Sequence, residues 1–240
     1  MTQPQLPAGT RWLGVVGGMG PLAAGDFLMK LAAATPATRD QEQIPVLLYG
    51  DCATPDRSAA MMAGGENPLP ALLRAVDFLC AAGASSIAIP CNSAHYWYDD
   101  MRARSTTPIF NIADASLARA REVNPGIENV GVLSTLGTAE MGIYSSRIVK
   151  QGIRPIISTR QEFDAWITPA IAAIKANRLP EATELLDKAA CALFSRGAGA
   201  VILGCTEIPL GMVPHLTAEP RRYVDSTQSL AAAVVASFRP

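Results

Sequence analysis

Ser86-Ile87-Ala88-Ile89-Pro90-Cys91-Asn92-Ser93-Ala94-His95 is an uncharged, β-branched run that stops at Pro-Cys-Asn-Ser and then turns amphipathic. Such a pattern reads as a buried parallel strand that delivers a thiol to the start of a helix. Backbone N–H groups and the positive end of a helix dipole favour thiolate at such a position, so Cys91 is a candidate reactive group. A second copy lies downstream. Gly83-Ala84-Ser85-Ser86-Ile87-Ala88-Ile89-Pro90-Cys91-Asn92 aligns without a gap with Gly197-Ala198-Gly199-Ala200-Val201-Ile202-Leu203-Gly204-Cys205-Thr206, Gly on Gly, Ala on Ala and Cys on Cys. Upstream, Gly14-Val15-Val16-Gly17-Gly18-Met19-Gly20 matches Gly131-Val132-Leu133-Ser134-Thr135-Leu136-Gly137, each a strand ending in a small-residue turn. Two related α/β halves, each contributing one thiol to a shared cleft, account for both matches.

Composition narrows the function. The 240 residues carry 20 basic and 21 acidic side chains, a net charge of −1, with no run of like charge. Neither nucleic acid nor an anionic membrane surface is indicated as a partner. Phe78 to Tyr98 lacks charge and could span a bilayer by length, but Gly83, Ser85, Ser86, Pro90, Asn92 and His95 interrupt it, and a buried strand between two helices explains it better. The first ten residues lack the basic and apolar blocks of a signal peptide, so a cytoplasmic protein is expected. Five cysteines without a Cys-x-x-Cys pair, and two histidines, argue against a disulfide framework or a structural zinc site. Cys80 and Cys191 read as small buried hydrophobes on helical faces; Cys52 is ambiguous.

In chain order, strands are expected at 12–16, 44–49, 86–90, 108–111, 129–133, 154–157, 200–203 and 223–224. Helices are expected at 21–34, 67–82, 92–102, 114–123, 138–151, 161–177, 181–196 and 226–238. The alternation gives an α/β fold of two similar Rossmann-like domains with parallel sheets, whose sites lie at the carboxyl ends of the strands. The expected division is residues 1–112 plus 213–240, carrying Cys91, and residues 113–212, carrying Cys205.

Two thiols presented from related halves suit the removal of a proton from one side of a carbon and its return to the other, one acting as base and one as acid. Backbone N–H groups around Asn92-Ser93 and Thr206-Glu207 are placed to stabilise the charge that develops. Arg57, in the polar loop Gly50–Arg57, can pair a carboxylate and stay charged. Thr135 and Thr138, at the turn after the matched second-half strand, join them as candidate substrate residues. Two other classes stay open. Gly18-Met19-Gly20-Pro21-Leu22-Ala23 satisfies the dinucleotide fingerprint Gly-x-Gly-x-x-Gly/Ala, with Asp51 as the acidic partner, which would make the chain an NAD-dependent oxidoreductase. A non-catalytic amino-acid binding protein on the same scaffold is the other.

Taken together, Gly17-Gly18-Met19-Gly20-Pro21, Pro55-Asp56-Arg57, Pro90-Cys91-Asn92-Ser93-Ala94-His95 and Leu203-Gly204-Cys205-Thr206-Glu207-Ile208 resemble the signature blocks of the aspartate/glutamate racemase family, and more narrowly its aspartate racemase branch. The resemblance spans nearly the whole chain. It implies a racemase independent of pyridoxal phosphate and of other cofactors, with two α/β domains, the active site between them, and Cys91 and Cys205 as the catalytic pair. Asn92, Ser93 and Thr206 match positions that hold the substrate's α-carboxylate and amino group; Met19 lies in the first substrate loop; Arg57 and Lys175 match basic positions near the carboxylates. The resemblance also implies a small amino-acid substrate and a homodimer. Three departures from the wider family bear on substrate. Asn92-Ser93 stands where many members have Asn-Thr, the first loop is Gly-Gly-Met-Gly, and Glu207 replaces the histidine of the glutamate branch. Aspartate is the expected substrate, with glutamate or a broader set as alternatives.

Overall fold

The apolar run Leu13–Gly17 forms β1, buried along its whole length because it lies in the middle of a parallel sheet, between β2 (Val46–Gly50) and β3 (Ser86–Ala88). A strand covered on both faces reads as continuous hydrophobicity, whereas the edge strand β2 is only half-buried. The computed structural model describes residues 9–62 and 64–239, in two units: the chain up to Ile112 together with the residues from Thr227 onward, and Ala113–Ser226. Ile109 extends the first sheet beyond β3 through one parallel bridge to Ile87. The second sheet has order β5 (Arg154–Ile157), β4 (Asn129–Ser134), β6 (Ala200–Gly204), β7 (Tyr223–Asp225), all parallel.

Side-chain alternation sorts the first core into two faces. Leu13, Val15 and Ala88 pack with Phe27 and Leu31 of α1 (Pro21–Ala34) and with Leu230, Ala231, Val234 and Val235 of the C-terminal helix. Val16 and Ile87 pack with Leu72, Ala75, Val76 and Leu79 of the helix Leu69–Ala81. The remaining helices of this unit are α2 (Arg57–Met62), α3 (the Leu69–Ala81 helix) and α4 (Tyr98–Arg104). The helix α5 (Ile112–Val123) carries the chain into the second unit. There α6 (Leu136–Glu140), α7 (Ser145–Lys150), α8 (Arg160–Glu162), α9 (Thr168–Lys175), α10 (Leu179–Ser195), α11 (Ile208–Gly211) and α12 (Val213–Ala218) follow, before α13 (Ser226–Phe238) returns. Leu133, Val201 and Leu203 pack against Ile171 and Ile174 of α9 and Leu186, Ala189 and Leu193 of α10.

The duplication read from sequence recurs in three dimensions. Gly14 opposes Ile87 across β1–β3, and Gly131 opposes Val201, its aligned counterpart, across β4–β6. Both glycines are packed by the same pair of side chains: a Cβ on Gly14 would meet Ala84 and Leu79 within 3.3 Å, and one on Gly131 would meet Ala198 and Leu193 within the same distance. Gly83 and Gly197, at φ 90° and 92°, end the preceding helices with matching 6→1 bonds, Ala84 N–H to Leu79 O and Ala198 N–H to Leu193 O. Equivalent residues thus hold equivalent strands in one register.

Several expected elements differ. Residues 213–226 belong to the second unit and not to the first, because β7 pairs with β6. The expected helix 138–151 is two helices: Gly142, at φ 65°, interrupts it. Within 161–177 the turn Phe163–Ile167 is π-helical, with the Thr168 N–H reaching Phe163 O; Pro169 has no N–H for a regular bond and its ring would crowd the preceding turn. Residues 108–111 form a single bridge instead of a strand. Arg57 opens α2 instead of lying in a loop, since Asp56 caps that helix through Oδ1 to the Ala59 N–H at 2.7 Å. Cys191 is exposed rather than buried, as is Cys52. Among the described residues no helix is long and apolar enough to cross a membrane.

Candidate active site

Cys91 and Cys205 each follow the carboxyl end of an equivalent strand, β3 and β6, and both are buried, at 4% and 5% exposure. Open parallel sheets bind ligands at those strand ends. The two loops are built differently from the expected helix start. β3 ends at Ala88, ahead of Pro90, which cannot donate to a ladder, and the Cys91 N–H turns back to Ile89 O at 2.8 Å. The segment Ser93–Trp97 is a 3-10 turn, not the first turn of an α-helix. The cause is His95. In an α-helix its N–H would donate to Cys91 O; here it donates to Asn92 O at 3.1 Å, and the Cys91 carbonyl instead meets His95 Nδ1 at 2.9 Å. A single 3-10 turn offers less dipole at this position than the expected helix.

Around Cys91, Ser93 Oγ stands 3.5 Å from Sγ, Asn92 is buried, and Met19 is buried in the hydrophobic cluster that also holds Cys91 and Ala94. Arg57 is partly buried, its Nη1 donating to Thr54 O and Pro55 O at 3.2 and 2.9 Å. Its Nε is buried without a hydrogen-bond partner, and among the described residues no carboxylate pairs with it. The first unit thus gathers Met19, Cys91, Asn92 and Ser93 in one neighbourhood and places Arg57 at the start of α2.

In the second unit Cys205 Sγ donates to Glu207 Oε2 at 3.0 Å, and Thr206 Oγ1 reaches the same oxygen at 3.5 Å. The Glu207 carboxylate is therefore turned onto the Cys205 sulfur. Thr135 caps α6, its Oγ1 accepting from the Thr138 N–H at 3.3 Å and donating to Thr138 Oγ1 at 3.0 Å, after β4 and beside the β6 end in the sheet. Lys175 is exposed at the end of α9, with no ion-pair partner among the described residues. Sequence reasoning missed Tyr144. Its ring lies under the Cys205 strand, where a Cβ on Gly204 would come within 2.9 Å of Cε2. Burial drives its hydroxyl above the ordinary phenol range, opposed by the Ser116 and Ser226 hydroxyls and reinforced by Cys205 and Asp225. A tyrosine inside an expected helix gave no signal of this placement.

The dinucleotide reading gains no support. Gly18, at φ 88°, is needed because a Cβ there would lie 2.4 Å from the Asp51 backbone, so its freedom serves loop packing and not a pyrophosphate. The Asp51 carboxylate accepts from the Ala53 N–H at 2.9 Å in its own turn. Among the described residues no group of three His, Cys, Asp or Glu side chains is arranged to hold a metal ion.

Comparison with known proteins points the same way. The family model described as Asp/Glu/Hydantoin racemase matches residues 16–234. The broad specificity amino-acid racemase RacX of Bacillus subtilis is 24% identical over 94% of this chain and 97% of its own. The aspartate racemase of Picrophilus torridus superposes with TM-score 0.81 at 28% identity, covering 95% of this chain and 94% of the other. An aspartate racemase homologue from Pyrococcus horikoshii shares the fold, at TM-score 0.74 and 21% identity over 95% and 99% of the two chains. With the family model spanning nearly all of a chain whose two units each end an equivalent strand in a buried cysteine, this protein belongs to the Asp/Glu/Hydantoin racemase family and is an isomerase.

Proposed function

We propose that this isomerase interconverts L- and D-aspartate by two-base proton transfer between the thiols of Cys91 and Cys205, without a cofactor. The observation that carries the reading is the matched pair: one buried cysteine after the same strand of each duplicated unit, in the same register. In one direction the Cys91 thiolate takes the α-proton and the Cys205 thiol delivers its own to the opposite face; in the other direction the roles exchange. Cys205 rests as the donor to Glu207, the state required of the delivering partner, and Glu207 retains that proton near the sulfur between turnovers. Peptide N–H groups at Asn92-Ser93 and Thr206-Glu207, with the hydroxyls of Thr135 and Thr138, hold the α-carboxylate and amino group as negative charge builds on the α-carbon.

An acidic substrate is favoured by the basic side chains. Arg57 is preorganised by two carbonyls, and among the described residues neither it nor Lys175 pairs with a carboxylate. A guanidinium in that state suits a second substrate carboxylate. Broad specificity is the second reading, suggested by the likeness to RacX. A homodimer, which the resemblance implies, belongs to the proposal and is checked by sedimentation equilibrium.

The deciding experiment follows L-aspartate by proton NMR in D₂O while chiral chromatography follows D-aspartate. Loss of the α-proton with formation of the D-isomer, both reduced about 10³-fold or more in C91S and C205S, is the expected result. Exchange with neutral amino acids at comparable kcat/KM supports the second reading instead. Ligand binding that survives both substitutions without any α-proton exchange sinks both.

A further inference from the structure

The imidazole of His95 is 6% exposed against the Cys91 turn, and the two-thiol chemistry leaves it without a task. Its hydrogen bonds define its state. The backbone N–H of Ile112 points at Nε2 at 3.1 Å, and a backbone amide can only donate. Nε2 is therefore the bare nitrogen, and the single proton of a neutral ring sits on Nδ1. From there it is donated to the Cys91 carbonyl at 2.9 Å. The opposite tautomer would give the weaker Nε2–H contact to Phe110 O at 3.4 Å and would set N–H against N–H at Ile112. Tyr98 stacks on the ring at 5.8 Å and 11°, and its own hydroxyl donates to Ile109 O at 3.0 Å, so the ring's orientation is held from the side as well.

On the racemase reading of Cys91, we propose that His95 is a positioning residue: its neutral Nδ1–H imidazole ties the Cys91 carbonyl to the Ile112 amide and thereby sets where the Cys91 sulfur stands. The carbonyl and the N–H of one trans peptide point in opposite directions. Holding the Cys91 oxygen toward His95 therefore directs the Asn92 N–H to the other side, the orientation a charge-stabilising donor needs. The same bond keeps the carbonyl out of the helix ladder, which is why the segment after Cys91 is a 3-10 turn. His95 does not exchange a proton with substrate.

Two measurements test this. The first is long-range proton–nitrogen NMR of the full chain labelled with ¹⁵N-histidine at pH 7; with two histidines in the sequence, an H215Q variant assigns the pair. A protonated Nδ1 with a bare Nε2 is expected, and either the reverse tautomer or an imidazolium overturns the proposal. The second compares two variants. Asparagine places an amide near Nδ1 and keeps the donor to Cys91 O; glutamine reaches the Nε2 position and keeps only the acceptor for Ile112. Racemisation by H95N is expected within about 5-fold of the parent, whereas H95Q loses about 10- to 100-fold in kcat with KM little changed, the penalty of a misplaced group. Iodoacetamide alkylation of Cys91, with Cys205 as internal reference, should shift in H95Q and not in H95N. Equal retention, or equal loss, in the two variants overturns the proposal. If the parent fails to racemise aspartate, the NMR and alkylation results still decide the role of His95, separately from the function assigned to the site.

Discussion

Glu207 is a single carboxylate that accepts a hydrogen bond from the Cys205 thiol. Replacing it with glutamine keeps an oxygen for the Cys205 S–H but removes the charge, and E207Q is expected to lose about 10-fold or more in kcat with a smaller effect on KM, read by the same D₂O exchange assay. Tyr144 is the residue whose environment the sequence concealed. Its folded hydroxyl is pushed upward by burial, and that of Tyr223 up to about 12 by burial, from an ordinary value of 10.0. A group whose folded pKa is raised contributes stability that is present below its unfolded value and is lost as pH rises through the folded value. Thermal stability is therefore expected to fall from about pH 10 upward, and Y144F should flatten that fall in a series of melting curves; an unchanged slope would show that Tyr144 does not govern it. At this scale the sequence named both cysteines and Asn92, Ser93 and Thr206 from their place after strand-like runs. The partnership of His95 with a carbonyl needed coordinates, because a histidine four residues after a cysteine looks the same whether its ring or its backbone makes the bond.

Among the elements, the strands were the most legible and the helices after Cys91 and Gly137 the least. A central parallel strand is specified by its own apolar run, whereas a helix is ended by local events such as the positive φ of Gly142 or the missing N–H of Pro169. The glycines of the central strands carry the close helix contacts. Gly131→Ala would put a Cβ 3.0 Å from Val201 Cγ2 and 3.3 Å from Leu193, and Gly204→Ala one at 2.9 Å from Tyr144 Cε2. Each is expected to destabilise the protein by about 1–3 kcal/mol as overpacking, measured as a lowered urea midpoint with an unchanged m-value. For G204A, activity should fall further than stability alone requires, since the shifted residue precedes Cys205.

For the whole molecule, the order of the chain and the division of its units do not coincide. Leu230, Ala231, Val234 and Val235 of α13 complete the core around Leu13, Val15 and Phe27, more than 190 residues earlier in the chain. A fragment ending at residue 112 lacks that cover and is expected to show no cooperative melt, while a fragment of 113–226 retains its own core of β4, β6, α9 and α10 and should melt cooperatively by circular dichroism. Cooperative melting of the 1–112 fragment by itself would refute this account. The sequence by itself determined the duplication, the parallel α/β class and the cysteine at the end of each third strand, because all three rest on local periodicity and on residues repeated in order. The tertiary structure decided what depends on partners far along the chain and on which way a nearby side chain turns. β7 draws residues 213–226 into the second unit by pairing with β6, Tyr144 lies beneath Gly204, Glu207 turns onto Cys205, and His95 replaces a helical bond at Cys91. Hydrogen bonds and packing between residues far apart in the chain leave no periodic trace along it.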